Sequence, residues 1–354
     1  MDVAAIDPNF RPVPVDGVDL VFRNALEAPF SVEGILFRSP EGHLRRLPST
    51  LTKEDVNEGV LSLVRHTAGG CVRFCADSPV VAVRATLADS ADMNHMPRAA
   101  SAGFDLYRGH GAEAVHAGTA QPNRDESRLV RILTRAGGGS AEWTLDFPLY
   151  GGFTSLEIGL VPGAVPAPPP PHALGRIVFY GSSITQGGCA SRPGNAFASL
   201  VCRELDAEQV NLGFSGSGRG EPAVAHVIAG MDHLSAFVFD YDHNAPSPEH
   251  LAATHEPFYR IVREARPDLP VLFVSRPDVW ERNAEDAAAR LAIVRATYER
   301  ALARGERVGL VDGSTLFGTR HRDACTVDGC HPNDLGFSRM AETLVPALRA
   351  LLGA

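Results

Sequence analysis

From residue 181 onward the chain holds, in order, Gly181-Ser182-Ser183-Ile184-Thr185, then Gly216, then Asn244, and close to its end Asp328 with His331. A serine hydroxyl becomes a nucleophile when a histidine takes its proton and a carboxylate fixes that histidine's tautomer. The negative oxygen formed by attack on a carbonyl then needs N–H donors already in place. Each of those roles has a candidate here. Ser183 is the nucleophile, His331 the base and Asp328 its orienter. The N–H groups of Ser183 and Gly216 and the side-chain amide of Asn244 are the oxyanion donors. Asp328 stands three positions before His331 with Gly329 between them, a spacing that lets the carboxylate curl onto the ring. Taken singly, every candidate also has a structural reading: a helix-capping serine, a turn glycine, an asparagine opening a loop, a capping His-Pro-Asn turn.

Such groups work only if the chain delivers them to one place. Arg176 to Tyr180, Val210 to Phe214, Ala236 to Asp240, Val271 to Ser275 and Val308 to Asp312 are short apolar runs that read as strands. Between them lie helical stretches at Asn195 to Leu205, Glu249 to Arg266 and Ala284 to Ala303, and a last helix is expected to start at Pro332. Apolar strands alternating with helices predict a parallel sheet covered on both faces, whose ligands bind at the strands' carboxyl ends. Ser183, Gly216 and Asn244 each follow such an end.

Before residue 165 the pattern differs. Val18 to Phe22, Gly34 to Arg38, Val80 to Leu87, Phe104 to Arg108, Arg128 to Leu133 and Trp143 to Leu149 are strand-like and separated by turn residues. Val81, Val83 and Ala85 alternate with Ala82, Arg84 and Thr86, the period of a strand with one buried face. This predicts an all-β, jelly-roll-like sandwich. Pro168 to Pro171 cannot continue a helix or a central strand, so the chain divides into a sandwich at 1–165, a proline-rich linker at 166–175 and an α/β part at 176–354.

The 354 residues carry a net charge of −9 with 44% hydrophobic and 21% charged residues, which excludes a basic nucleic-acid footprint. Among 33 basic residues Lys53 is the only lysine. No apolar run is long enough to span a bilayer, and Met1 to Pro8 has neither a basic start nor an apolar stretch, so a cytoplasmic location is expected. Cys71, Cys75, Cys189, Cys202, Cys325 and Cys330 have no zinc-site spacing and read as small buried thiols.

Three other readings compete. Gly216, Gly218 and Gly220 follow a strand and Asp240 ends the next, as in a dinucleotide site, but the third fingerprint glycine is missing and Pro222 intrudes. His226, His233, His243, His250 and His255 are too irregular for a metallohydrolase, and His255-Glu256 runs into Pro257. A non-catalytic binding protein would leave the Ser183, Asp328 and His331 set without a role. Trp280, Arg282 and Arg219 are candidates for lining an acyl or acceptor pocket.

Together the blocks resemble the SGNH (GDSL) hydrolase superfamily, whose four named residues fall on Ser183, Gly216, Asn244 and His331, with Asp328 as the acid. The resemblance covers Arg176 onward and implies a flavodoxin-like three-layer fold. Two positions depart from the family pattern: Gly-Asp-Ser is Gly181-Ser182-Ser183, and the acid often found after the asparagine is Ala245. A preceding β-sandwich is similar to a two-domain branch that includes carbohydrate acetyl esterases and a GDSL-type salicylyl acyltransferase of a tetracycline pathway. The resemblance implies an ester or thioester donor, an acceptor that is water or a hydroxyl, and no metal or redox cofactor.

Overall fold

The computed structural model describes residues 13–90, 92–135, 138–277 and 284–353, so Met1 to Pro8, Trp280 and Arg282 lie outside the described residues. Among the described residues, a two-stranded sheet, Phe37–Arg38 with Leu44–Arg45, and two five-stranded antiparallel sheets make up the first part. One orders Val13–Val15, Val18–Asn24, Gly151–Leu160, Val81–Ser90 and Arg128–Thr134. The other orders Ser31–Glu33, Cys71–Asp77, Ser140–Asp146, Phe104–Arg108 and Val115–Ala120. Val81, Val83 and Ala85 point into a shared core with Val72, Phe74, Trp143, Leu145 and Ile158. Each large side chain buried there contributes about 1.5–3 kcal/mol.

The strand expected at Gly34 to Arg38 is broken. Gly34 has φ +77°, and a Cβ on it would stand 2.2 Å from the Gly69 carbonyl oxygen, so the chain turns there between Ser31–Glu33 and Phe37–Arg38. Val115–Ala120 and Gly151–Leu160 are strands that glycines disguise in the sequence, and two short helices, Glu58–Leu63 and Arg98–Ser101, interrupt the β succession.

The second part is a parallel five-stranded sheet in the order Ala207–Gly213, Leu174–Gly181, Leu234–Asp240, Val271–Val274, Val308–Val311. That 2-1-3-4-5 order is the flavodoxin-like one, whose switch point lies beside the first strand. Ile177, Val178, Phe179 and Tyr180 are all fully buried because both faces are covered. Phe197–Leu205 and Asp334–Leu352 pack on the Ile177 and Phe179 face. Pro222–Ala229, Pro248–Ala265 and Ala284–Ala303 pack on the Val178 and Tyr180 face.

The proline seam is tied to both parts. Ala167 and Cys75 exchange two backbone hydrogen bonds of 2.8 Å, and the Pro170 carbonyl accepts from Arg73 at 2.9 Å. Beyond it, His172 bridges Glu33 of the sandwich and Asp206 at the end of helix Phe197–Leu205, at 2.9 and 2.8 Å. Apolar residues of the first part also enter the second part's cores, Val60 and Val64 on one face, Met96, Leu149 and Tyr150 on the other. Among the described residues no helix is long and apolar enough to cross a membrane, and all six cysteines are free thiols.

Candidate active site

The strand Leu174–Gly181 ends in a sharp turn into the single-turn helix Ser183–Gln186. Only glycine fits at 181, because a Cβ would meet Thr185 Oγ1 at 2.1 Å and the Asp240 carbonyl oxygen at 2.3 Å. The two adjacent serines have different surroundings. Ser182 caps the helix: its hydroxyl is fully buried and accepts the Ile184 N–H at 3.1 Å. Ser183 opens the helix, where first-turn N–H groups have no intrahelical acceptor, and its hydroxyl lies 2.9 Å from His331 Nε2.

The elbow is held from below. Thr185 donates its hydroxyl to the buried Asp240 carboxyl at 3.0 Å, and Asn211 donates to the Thr185 carbonyl at 2.7 Å. Burial, reinforced by the neighbouring Asp242, pushes Asp240 well above the ordinary carboxylate range, although the Thr185 bond opposes this. Gln186 accepts from the Ser215 N–H at 3.0 Å and donates to the Leu149 carbonyl at 3.0 Å, which couples the elbow to the next loop and to the sandwich.

Asp328 and His331 share a tight turn. Gly329 supplies φ +84°, and the Val327 N–H closes the turn onto the His331 carbonyl at 3.0 Å. Asp328 Oδ1 accepts the N–H groups of Cys330 and His331 at 2.9 and 2.8 Å, and Oδ2 faces His331 Nδ1 at 2.7 Å. Partial burial alone would raise the Asp328 pKa. The backbone and ring hydrogen bonds from His331 and the Cys330 N–H outweigh it, and the carboxyl sits below its usual range. Its acceptor role fixes Nδ1 as the protonated nitrogen, leaving the Nε2 lone pair for Ser183. The last helix begins at Asp334, not at Pro332. Asn333 is its cap, accepting the Gly336 N–H at 3.2 Å, while the Pro332 carbonyl accepts from Cys189 N–H at 2.8 Å.

Gly216 and Asn244 lie past the ends of the two strands that flank Leu174–Gly181. Gly216 has φ +64°, and Asn244 ends the short turn Asp242–Asn244. Asn244 Nδ2 donates one hydrogen to the Phe214 carbonyl at 2.8 Å, joining the two loops and leaving its second hydrogen available. Arg219 folds back onto the Gly216 carbonyl at 3.2 Å. Two of the three glycines that suggest a dinucleotide site are required by packing. A Cβ at Gly218 would lie 2.4 Å from the Gly181 oxygen, and one at Gly220 2.9 Å from the Tyr241 hydroxyl.

Several neighbours of the site have no local sequence signal. Tyr150, from the first part, donates to the Ser183 carbonyl at 3.3 Å. His95, on the loop before Arg98–Ser101, stands edge-to-face with His331 at 5.6 Å between ring centres. His243 Nε2 lies 3.1 Å from Cys330 Sγ, and burial pushes His243 down to about 3. Among the described residues, His226, His233, His243, His250 and His255 form no group that could hold a metal. Among the described residues the group whose donor atoms converge closely enough to hold a metal is His95, Asp328 and His331.

The sequence carries one further signal, the string Gly103-Phe104-Asp105-Leu106-Tyr107. Gly103 has no room for a Cβ, which would sit 2.3 Å from the Ala99 carbonyl oxygen. Asp105, fully buried, pairs with Arg192 at 2.8 Å and accepts the Gly194 N–H at 3.2 Å. The Tyr107 hydroxyl also accepts from Arg192, at 2.5 Å. The motif thus grips the segment that follows the Ser183 helix.

Comparison with known proteins matches both parts. The sequence profile of the GDSL-like Lipase/Acylhydrolase family covers residues 175–349. A second profile, GxDLY, the N-terminus of Esterase_SGNH_hydro-type proteins, covers residues 20–165 and takes in the Gly103–Tyr107 string. No curated protein sequence matches the chain. A crystal structure from Bacteroides ovatus described as a GDSL-like lipase superposes with TM-score 0.83 at 28% identity, covering 94% of this chain and 98% of the other. The salicylyl-acyltransferase SsfX3 from a tetracycline biosynthetic pathway superposes with TM-score 0.78 at 19% identity, covering 94% and 97%. A family two carbohydrate esterase from Cellvibrio japonicus gives 0.62 at 13%, covering 94% and 98%.

Proposed function

Since the chain belongs to the SGNH/GDSL hydrolase superfamily, we propose that it transfers acyl groups from carboxylic esters or thioesters through an acyl-enzyme on Ser183. The observation that carries this is the continuous relay from Ser183 Oγ to His331 Nε2 at 2.9 Å and from His331 Nδ1 to Asp328 Oδ2 at 2.7 Å. His331 takes the Ser183 proton as Oγ bonds to the carbonyl carbon. The N–H groups of Ser183 and Gly216 and the free hydrogen of Asn244 Nδ2 receive the oxyanion. When the tetrahedral species collapses, the bond to the leaving oxygen or sulfur breaks, and His331 returns the proton to that atom. His331 then deprotonates water or an acceptor hydroxyl, whose oxygen takes the acyl group and frees Ser183. Asp328, held as a carboxylate, steadies the imidazolium in both halves.

Hydrolysis and transfer to a hydroxyl share every step but the last. Transfer of an aryl or other acyl group to a hydroxyl of a polyketide or similar specialised metabolite is the alternative outcome of the same acyl-enzyme; the full-length superposition on a salicylyl-acyltransferase at 19% identity bears on the fold. Six free thiols fit a reducing compartment. A fluorophosphonate is expected to add one mass to the peptide carrying Ser183, and Ser183→Ala to lose both the adduct and ester turnover. Labelling that persists in that variant, or maps to Ser182, refutes the reading. Mass spectrometry of an aryl thioester donor, with and without hydroxyl acceptors, separates transferase from hydrolase.

A further inference from the structure

We propose that His95, Asp328 and His331 form an inhibitory site for a zinc ion. The proposal rests on the reading of Ser183, His331 and Asp328 as the catalytic set, because it is that set the ion would disable. One donor atom from each of the three residues lies within 4.8 Å of the others. Two imidazoles and a carboxylate are a donor set that zinc takes readily, with water completing a tetrahedron.

Each ligand is already oriented by a neighbour. His95 Nδ1 lies 3.2 Å from the Asn94 side-chain oxygen. That oxygen only accepts, so Nδ1 carries the proton and Nε2 presents its lone pair. Asp328 Oδ1 is engaged by the two backbone N–H groups, which leaves Oδ2 as the ligating atom. His95 and Asp328 are exposed and His331 is half-buried, so an ion reaches all three from solvent.

The ion takes the place of the proton between Asp328 Oδ2 and His331 Nδ1. Their separation of 2.7 Å must open to roughly 3.3 Å, the span between two tetrahedral ligands about 2.0–2.1 Å from zinc. The Nδ1 proton leaves to solvent, and Nε2 takes one up to keep the ring neutral. Nε2 then donates toward Ser183 Oγ instead of accepting from it, and serine deprotonation stops. His95 supplies the third ligand from the first part of the chain, so its removal should abolish tight binding without touching the relay.

The test titrates zinc sulfate into Ser183→Ala protein against a chromophoric chelator, a readout that needs no turnover. One ion per chain is expected, with affinity at least tenfold weaker when His95→Ala is added. His95→Asn repeats the measurement should the alanine form fold poorly. In the Ser183 enzyme, zinc should inhibit ester turnover, EDTA should restore it, and His95→Ala should raise the inhibitory concentration at least tenfold, each protein referred to its own zinc-free rate. Zinc affinity unchanged by both His95 substitutions overturns the site. Stoichiometric binding that leaves turnover intact overturns the inhibition. A protein that binds zinc as expected but takes no fluorophosphonate and turns over no ester fails the catalytic reading, a failure separate from that of the site.

Discussion

Replacing Asp328 with asparagine separates two jobs that the carboxylate is argued to perform. The Asp328→Asn side chain keeps a carbonyl oxygen where Oδ1 stands, so the bonds from the Cys330 and His331 N–H groups at 2.9 and 2.8 Å survive and the turn holds its shape. At Oδ2, however, an NH₂ group now faces His331 Nδ1 across 2.7 Å. Two donors cannot meet there, so the ring must carry its proton on Nε2, the nitrogen that should accept from Ser183. The lost charge alone would matter little. The Asp328 side chain is 37% exposed, and an ion pair that open to water is worth no more than about 1 kcal/mol, or under tenfold. Wrong-tautomer trapping costs about 10⁴ in kcat, roughly 5 kcal/mol at about 1.4 kcal/mol per decade. Asp328→Ala is the control, because water entering the vacated space can accept from Nδ1–H and restore the useful tautomer. The expected order in kcat on p-nitrophenyl acetate at neutral pH is parent, then Ala, then Asn. An Asn variant within tenfold of the parent would sink the tautomer argument, whereas an Ala variant slower than Asn would show that the turn held by Oδ1 matters more than the tautomer.

Asn244→Ala should lower kcat by about 10²–10³ with little change in KM, as removal of an oxyanion donor does. A near-parental kcat would take Asn244 out of the chemistry and leave it as a brace on the Phe214 carbonyl. Ser182→Ala should keep the fluorophosphonate adduct but lower stability by about 0.5–2 kcal/mol in urea melts, the cost of a helix cap; an unchanged midpoint would show the Ile184 bond to be dispensable. Stability should also fall on the alkaline side. Partial burial opposes the charged forms of His110 and His172, but the hydrogen bonds their rings donate to Glu142, Glu33 and Asp206 outweigh it and raise both pKa values. A raised folded-state pKa gives stability that is complete below the unfolded value, about 6.5, and lost as pH rises through the folded value. Denaturation midpoints should therefore decline above about pH 6.5, and His110→Asn with His172→Asn should flatten that limb. An equally steep limb in the double variant would exclude His110 and His172 as its source.

The α/β part was legible because its signals are local. Five apolar runs, four of them followed by a legible helical stretch, dictate a parallel sheet, and residues just past its strand ends converge because the topology brings those ends together; the helix Pro222–Ala229 after the second run is not among the four. The candidate nucleophile, base and acid, read from glycine turns and a three-residue spacing, stand in hydrogen-bond contact across 148 positions. The structure departs from the sequence pattern where one residue's role depends on distant atoms. Gly34 looked like part of a strand because nothing nearby announces the Gly69 carbonyl it must avoid. Pro332 looked like a helix start, yet Asn333 caps better, with its side chain also donating to the Ala324 carbonyl at 2.7 Å. His95 and Tyr150 could not be found from sequence, since only the packing of the two parts brings them to the elbow.

That packing bears on whether the sandwich is an accessory. Arg46, 2% exposed, donates to the Gly213 carbonyl at 2.5 Å and stacks over Phe214 with 4.5 Å to the ring centre, at the end of the strand leading to Gly216. Burial pushes its guanidinium down to about 9, a cost that the fold bears at this strand end. Asn57 donates to the Ser217 carbonyl at 2.7 Å in the same loop. Asp105 and Tyr107 hold Arg192, Leu149 receives Gln186, and Tyr150 reaches the Ser183 carbonyl. Every loop carrying a proposed oxyanion donor or the nucleophile, except that of Asn244, is thus braced directly by residues before the proline seam. Asn244 is braced at one remove, through the Phe214 carbonyl. A buried charge and a chain of side-chain bonds are costly ways to attach a mere ligand module, since each leaves unsatisfied groups when the partner departs. Their concentration around one elbow favours the sandwich as a wall and frame of the active site over a separable appendage.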